Sequence, residues 1–187
     1  MEAIVQKISN IWRTNLDLLE KDDEVNGVSG EAIFSIFKIL EPLIIDKYEK
    51  LKIKFKMIAG PIISIDEETE MNPVIELNNK GALELYISPY RQIVHFITFG
   101  NKIMYQENYH YPFAEERTGF TIKDNALIEK YRFDFYNLIK VLKLERYPKG
   151  YTPIFLSKKQ ISELSAKLKY KYDFLSKDAM KFMSANL

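Results

Sequence analysis

Residues 82–106 read ALELYIS, PYRQ, IVHFITF, GN, KIMYQ, and apolar and polar residues alternate in them through two turn signals. A period of two puts successive side chains on opposite faces of a strand, so the stretch reads as three strands joined by tight turns. The two-residue link Gly100-Asn101, between Phe99 and Lys102, suits a primed hairpin turn. Leu83, Leu85 and Ile87 fall on one face and Glu84, Tyr86 and Ser88 on the other, whereas IVHFITF is apolar on both faces, as a central strand is.

Upstream, Ile53, Phe55 and Met57 alternate with Lys52, Lys54 and Lys56, which predicts a first strand. Gly60-Pro61 interrupts it, PIISID resumes it, DEETE at 66–70 reads as an exposed connection, and PVIEL at 73–77 reads as a further strand. The predicted fold class is α+β. An antiparallel meander of five to six strands, over about residues 52–108, is packed by two N-terminal and two C-terminal helices in one domain spanning 1–187.

The helices follow from three- and four-residue spacing. Ile4, Ile8, Ile11, Trp12, Leu16 and Leu19 mark the first, and KDDEVNGVSG at 21–30 reads as a loop whose Ser29 caps a second helix from about Glu31. Pro42 predicts a kink or restart in that second helix. Asp124 caps a third, running from Leu127 to near Arg146, and YPKGYTPIF at 147–155 reads as a connector. Ser157 and Gln160 form a capping box for a long last helix bearing Ile161, Leu164, Leu168, Tyr172 and Leu175, a stripe that suits core packing or a homodimer contact.

Composition narrows the function classes. Zero cysteines exclude disulfides, thiolate nucleophiles and cysteine-ligated zinc, and fit a reducing compartment. The segment MEAIVQKISNIW lacks the apolar core of a signal peptide, and clusters such as LEPLII fall far short of a bilayer span, so a cytoplasmic location without membrane insertion is expected. The net charge of +1 hides a polarity: residues 17–79 hold 14 acids against 7 bases, and residues 140–181 hold 11 bases against 4 acids. Such asymmetry orients charged partners.

No family motif is present, and the scattered glycines build no phosphate loop or nucleophile elbow. His95 and His110, the only two histidines, stand fifteen residues apart at no standard ligand spacing, so neither a metal nor a cofactor is expected. His95 reads as a sheet histidine. His110 lies in NYHYPFAEER with Tyr109, Tyr111, Glu115, Glu116 and Arg117, at a strand end where functional groups collect.

The leading functional expectation is a non-catalytic protein-binding module, for instance an immunity protein or antitoxin that occludes a basic toxin domain. Asp22, Asp23, Glu24, Asp66, Glu67, Glu68 and Glu70 would form its docking face. The alternative is a small-molecule-binding domain or enzyme with a pocket near His110. A third reading places nucleic acid on the final helix, whose basic residues include Lys158, Lys159, Lys167, Lys169, Lys171, Lys177 and Lys181. Its lysines spread around the helix, which weighs against that reading.

Overall fold

A computed structural model describes residues 2–69, 71–113 and 117–169. Its elements run α1 (Glu2–Leu16), β1 (Glu24–Ala32), α2 (Phe34–Leu51), β2 (Lys54–Ile65), α3 (Pro73–Asn79), β3 (Leu83–Ile87), β4 (Phe96–Phe99), β5 (Ile103–Glu107), β6 (Gly119–Ile122), α4 (Asn125–Val141) and β7 (Ile154–Ser157). Residues 158–169 are helical. None of the described helices is long and apolar enough to cross a membrane.

All seven strands join one sheet in the order β3-β2-β1-β4-β5-β6, with β7 beside the second half of β2. The pairs β1–β2, β2–β3 and β2–β7 are parallel, and β1–β4, β4–β5 and β5–β6 are antiparallel. The sheet is therefore mixed, and the antiparallel meander expected from alternation is corrected. Alternation reports which face a side chain occupies and says nothing of strand direction.

Three local features of the chain make the sheet mixed. KDDEVNGVSG is not a loop: most of it is β1, the strand between β2 and β4. Its Gly30 serves close packing, because a Cβ there would lie 2.6 Å from His95 Nε2, and a Cβ on Gly60 of β2 would lie 1.9 Å from the Gly30 carbonyl oxygen. PVIEL is helical in α3, since Pro73 occupies the first turn and the Asn72 side chain accepts from the Val74 amide at 2.9 Å. Finally, SPYR does not close a hairpin. Strand β3 pairs with β2, and the chain then crosses to the far side of β1 before β4.

Helix α2 starts later than expected, at Phe34, with Ile33 in the capping position in place of Ser29. The Phe34 amide donates to the Ser64 hydroxyl of β2, which satisfies one of the amides a helix start leaves without a partner. The helix continues through Pro42. The segment read as a connector contributes β7 from Ile154, and Gly119–Ile122 pairs with β5 as β6.

The sheet separates two cores. On one face Trp12 and Leu16 of α1, Phe37, Leu40 and Ile44 of α2, and Val74 and Leu77 of α3 pack on Val25, Phe55, Leu85 and Phe99. On the other, Ile128 and Phe135 of α4 pack on Val28, Ile58, Phe96 and Met104.

Candidate functional site

Strands β1 and β5 and the residue just before β4 each deliver a polar side chain to the α1 face at the same end of the sheet. In the β4–β5 hairpin Phe99 pairs with Ile103 and Ile97 with Tyr105, so the same register sets His95 beside Glu107. The Glu107 amide donates to the His95 carbonyl at 2.9 Å, which carries the pairing one step past β4. The chain then bends back and brings His110 onto the pair.

Three donor atoms converge there. His95 Nδ1 lies 3.1 Å from Glu107 Oε2, His110 Nε2 lies 3.2 Å from the same oxygen, and the two ring nitrogens are 3.1 Å apart. The rings meet edge to face at 4.8 Å. Both histidines are buried, at 4% and 8% exposure. Each outer ring nitrogen faces a backbone carbonyl, His95 Nε2 that of Gln92 at 2.9 Å and His110 Nδ1 that of Tyr111 at 2.8 Å. A carbonyl only accepts, so the outer nitrogens carry the protons, and in neutral rings both inner nitrogens present lone pairs.

Two arginines and a second carboxylate surround this cluster. Arg117 Nη1 lies 3.6 Å from Glu107 Oε2, its Nη2 lies 3.6 Å from Glu31 Oε1, and Arg91 Nε lies 3.4 Å from Glu31 Oε2. The Phe113 amide donates to Glu31 Oε1 at 2.9 Å. Glu31 Oε2 accepts no hydrogen bond among the described residues, although it is buried. For Glu107, burial favours the neutral acid, but the hydrogen bonds that His110 and His95 donate when their inner nitrogens carry protons, together with the charge of Arg117, outweigh it and hold the carboxyl well below the usual carboxylate range. Burial, and then the nearby Glu107 charge, push the Tyr105 phenol up, so it stays protonated at neutral pH.

Beside the cluster, a cavity of about 110 Å³ lies between α1, α2 and the sheet. Ile8, Ile11 and Trp12 of α1, Phe37 and Leu40 of α2 and Ile97 of β4 give it an apolar body, while Glu31, His95, Glu107 and Arg117 form a polar end. Trp12 stacks on Phe55 at 6.3 Å and meets Phe99 edge-on at 5.6 Å.

Of the expected site residues, His110 and Arg117 enter this cluster, while Tyr109 and Tyr111 flank His110 in the chain. Glu70, Glu115 and Glu116 lie outside the described residues. The acidic runs sit apart: Glu24 opens β1 and Asp66 follows the far end of β2, and a twelve-residue strand is about 40 Å long. Glu24 is tied inward to Lys56 at 2.8 Å and to Tyr136. Asp23 takes the Glu20 amide at 2.7 Å, and Asp22 is exposed with φ 65°. Asp66 accepts from the Glu68 and Thr69 amides, both at 3.1 Å, which closes a turn. Glu67 accepts from the Lys159 amide at 3.2 Å and Glu68 is exposed.

Glu31, Arg91, His95 and Glu107 were not expected in a site. The hairpin held the signal, because its loop has three residues, Gly100 to Lys102, where two were expected. A two-residue loop sets His95 opposite Gln106 and sends Glu107 to the other position, so one residue of register concealed the pair.

No protein-family model matches the chain, and no curated protein matches it. Among solved structures it is similar to TrmBL2, described as an archaeal chromatin protein with a novel mode of DNA binding, at TM-score 0.53 and 15% identity. That likeness covers 76% of this chain and 52% of the other, so the chain spans about half the length of that protein. It is also similar to Nuc, a phospholipase D family member from Salmonella typhimurium, at TM-score 0.46 and 12% identity, over 72% of this chain and 88% of that one. At 15% identity the first likeness concerns the fold alone.

Proposed function

We propose that the chain is a small-molecule-binding domain whose ligand lies between α1, α2 and the sheet. The observation that carries this reading is the cavity itself, apolar along its length and ending at Glu31, whose Oε2 accepts no hydrogen bond among the described residues and is ion-paired with Arg91 Nε at 3.4 Å. Binding sites combine an apolar body with a few polar groups that fix orientation, and this cavity has that composition. An engineered apolar cavity of about 150 Å³ takes benzene, so a volume near 110 Å³ suits a ligand of about six heavy atoms or fewer.

Charge narrows the ligand further. Glu31 and Glu107 are offset by Arg91 and Arg117, so the polar end favours a neutral head that donates a hydrogen bond, such as a hydroxyl. Docking of a basic protein on the acidic runs has less behind it, because those runs lie at opposite ends of β2. Nucleic-acid binding has the shared fold behind it, while Lys171, Lys177 and Lys181 of the basic run lie outside the described residues.

Trp12 is the only tryptophan and lines the cavity, so its fluorescence reports occupancy. Cyclopentanol should shift the emission saturably, and cyclopentane should bind about tenfold more weakly, as expected for the loss of one hydrogen bond to a charged group. Gly27→Val fills the cavity from β1, where a Cβ meets nothing closer than the Ile97 side chain at 3.8 Å, and should abolish the shift. Equal binding of the two probes, or binding unchanged by Gly27→Val, would remove the reading.

A further inference from the structure

We infer that His95, Glu107 and His110 bind a divalent transition-metal ion, zinc in the first instance, through His95 Nδ1, Glu107 Oε2 and His110 Nε2. The inference stands on the cluster alone and does not depend on the cavity's having an organic ligand.

The lone pairs of the cluster point inward. Both outer nitrogens spend their protons on backbone carbonyls, of Gln92 and of Tyr111, so neutral rings turn two lone pairs toward a carboxylate oxygen. Three acceptors then face one another across 3.1, 3.1 and 3.2 Å. With both rings neutral that arrangement is repulsive, and Arg117, 3.6 Å from Glu107 Oε2 on its outer side, does not separate the two ring nitrogens; protons on the inner nitrogens or a metal ion among the three atoms relieve it. A single proton can lie along at most two edges of the triangle and leaves the third as contact between lone pairs. A metal ion near the centre engages all three.

The spacing of the three atoms also fits an ion. Zinc bound to imidazole nitrogen and carboxylate oxygen at about 2.0–2.1 Å in a tetrahedral shell sets its ligand atoms about 3.3 Å apart. The three atoms here already stand within 0.2 Å of that spacing, so an ion enters with little movement of the side chains. The groups behind the rings fit as well. Ligating histidines characteristically donate their other N–H to a carbonyl or carboxylate, which fixes the ring, and both histidines do so. Two imidazoles and one carboxylate favour zinc and its transition-metal neighbours over magnesium or calcium. Three protein ligands leave a fourth position, and because His95 and Glu107 also line the cavity, a water or hydroxide held there would border it.

Sequence spacing alone could not have assigned the set. His95 and His110 lie fifteen residues apart on opposite sides of the β4–β5 hairpin, and only the turn after Glu107 brings them into contact.

The test uses the untagged full chain, stripped with chelator, exposed to zinc chloride and passed through gel filtration before elemental analysis. One zinc per chain is expected, together with a rise in melting temperature that chelator reverses. His110→Ala should reduce zinc affinity at least a hundredfold; because His110 is not among the cavity-lining residues, cyclopentanol binding should survive that change, and Gly27→Val should retain zinc. Cobalt(II) added to the unmutated protein should develop the intense visible absorption of four-coordinate cobalt bound to nitrogen and oxygen, a readout that needs no variant to fold. Less than a tenth of a zinc per chain, a cobalt spectrum like that of the aqueous ion, or zinc binding undiminished in both His110→Ala and His95→Ala would overturn the assignment.

Discussion

Glu24 shows how a residue that looks like surface charge becomes internal structure. Its carboxylate accepts from Lys56 Nζ at 2.8 Å, from Asn26 Nδ2 at 2.8 Å and from the Tyr136 hydroxyl, and the ion pair is largely shielded, with side-chain exposures of 13% and 16%. Burial works against ionisation of Glu24, yet the hydrogen bonds from Lys56, Tyr136 and Asn26 outweigh it and lower the carboxyl from its ordinary 4.5. A depressed carboxyl contributes stability that is present above the unfolded value and is lost as pH falls through the folded one. Lys56 is raised above 10.5 despite its burial, so its contribution is fully present at neutral pH. Glu24→Gln should therefore cost about 1–2 kcal/mol at pH 7 and flatten the loss of stability between about pH 5 and pH 3 in urea titrations. Lys56→Met removes the nearest cation from the carboxylate, leaving Arg132 Nη2 at 3.8 Å, and should cost more, about 2–3 kcal/mol, somewhat below the range for a fully buried pair. Equal acid limbs for the native chain and Glu24→Gln would show that this network does not set the pH response.

At the scale of elements, side-chain periodicity announced α1, α4 with its Asp124 cap on the Leu127 amide at 2.8 Å, and the β4–β5 hairpin. The Ser157 and Gln160 capping box was also legible, with the Ser157 amide donating to Gln160 Oε1 at 2.8 Å. Other features were hidden because one signal had two physical meanings. Glycine marks turns and also permits close strand contact, and at Gly30 and Gly60 the second meaning holds. Asparagine before proline opens α3, where the apolar residues of PVIEL suggested a strand. The site was half legible: His110 and Arg117 were singled out, but Glu107 needed the hairpin register and Glu31 needed the recognition of β1. The two meanings of glycine separate by mutation. A Cβ at Gly60 meets backbone at 1.9 Å and forces β1 and β2 apart, whereas one at Gly27 meets only side-chain carbons at 3.8 Å and then backbone at 4.0 Å. Gly60→Ala should cost about 3 kcal/mol or more in chemical unfolding, and Gly27→Ala should stay within about 0.5 kcal/mol of the parent. Similar costs at both positions would refute the close-approach account of β1.

The whole molecule is a sheet with two unlike coats. On one side α4 sets Ile128 and Phe135 directly into a core with Val28, Ile58 and Phe96. On the other, α1 rests on α2 and reaches the sheet through Trp12 and Leu16, with the cavity beneath its middle turns. An element with a cavity under it has fewer dispersion contacts to lose, so α1 should open at lower free energy than the sheet. Opening α1 would uncover the cavity and release a small molecule bound there. A ligand that binds only the closed form adds RT ln(1 + [L]/Kd) to the cost of that opening, about 2.7 kcal/mol at a hundred times Kd. In native-state hydrogen exchange, α1 amides should exchange earlier than those of β1 and β2. Saturation with cyclopentanol should slow them by about a hundredfold while leaving amides of α4 that exchange by local opening unchanged. Slowing confined to α4, or none in α1 at saturation, would place the binding event elsewhere on the fold and sever the link between the cavity and the proposed function.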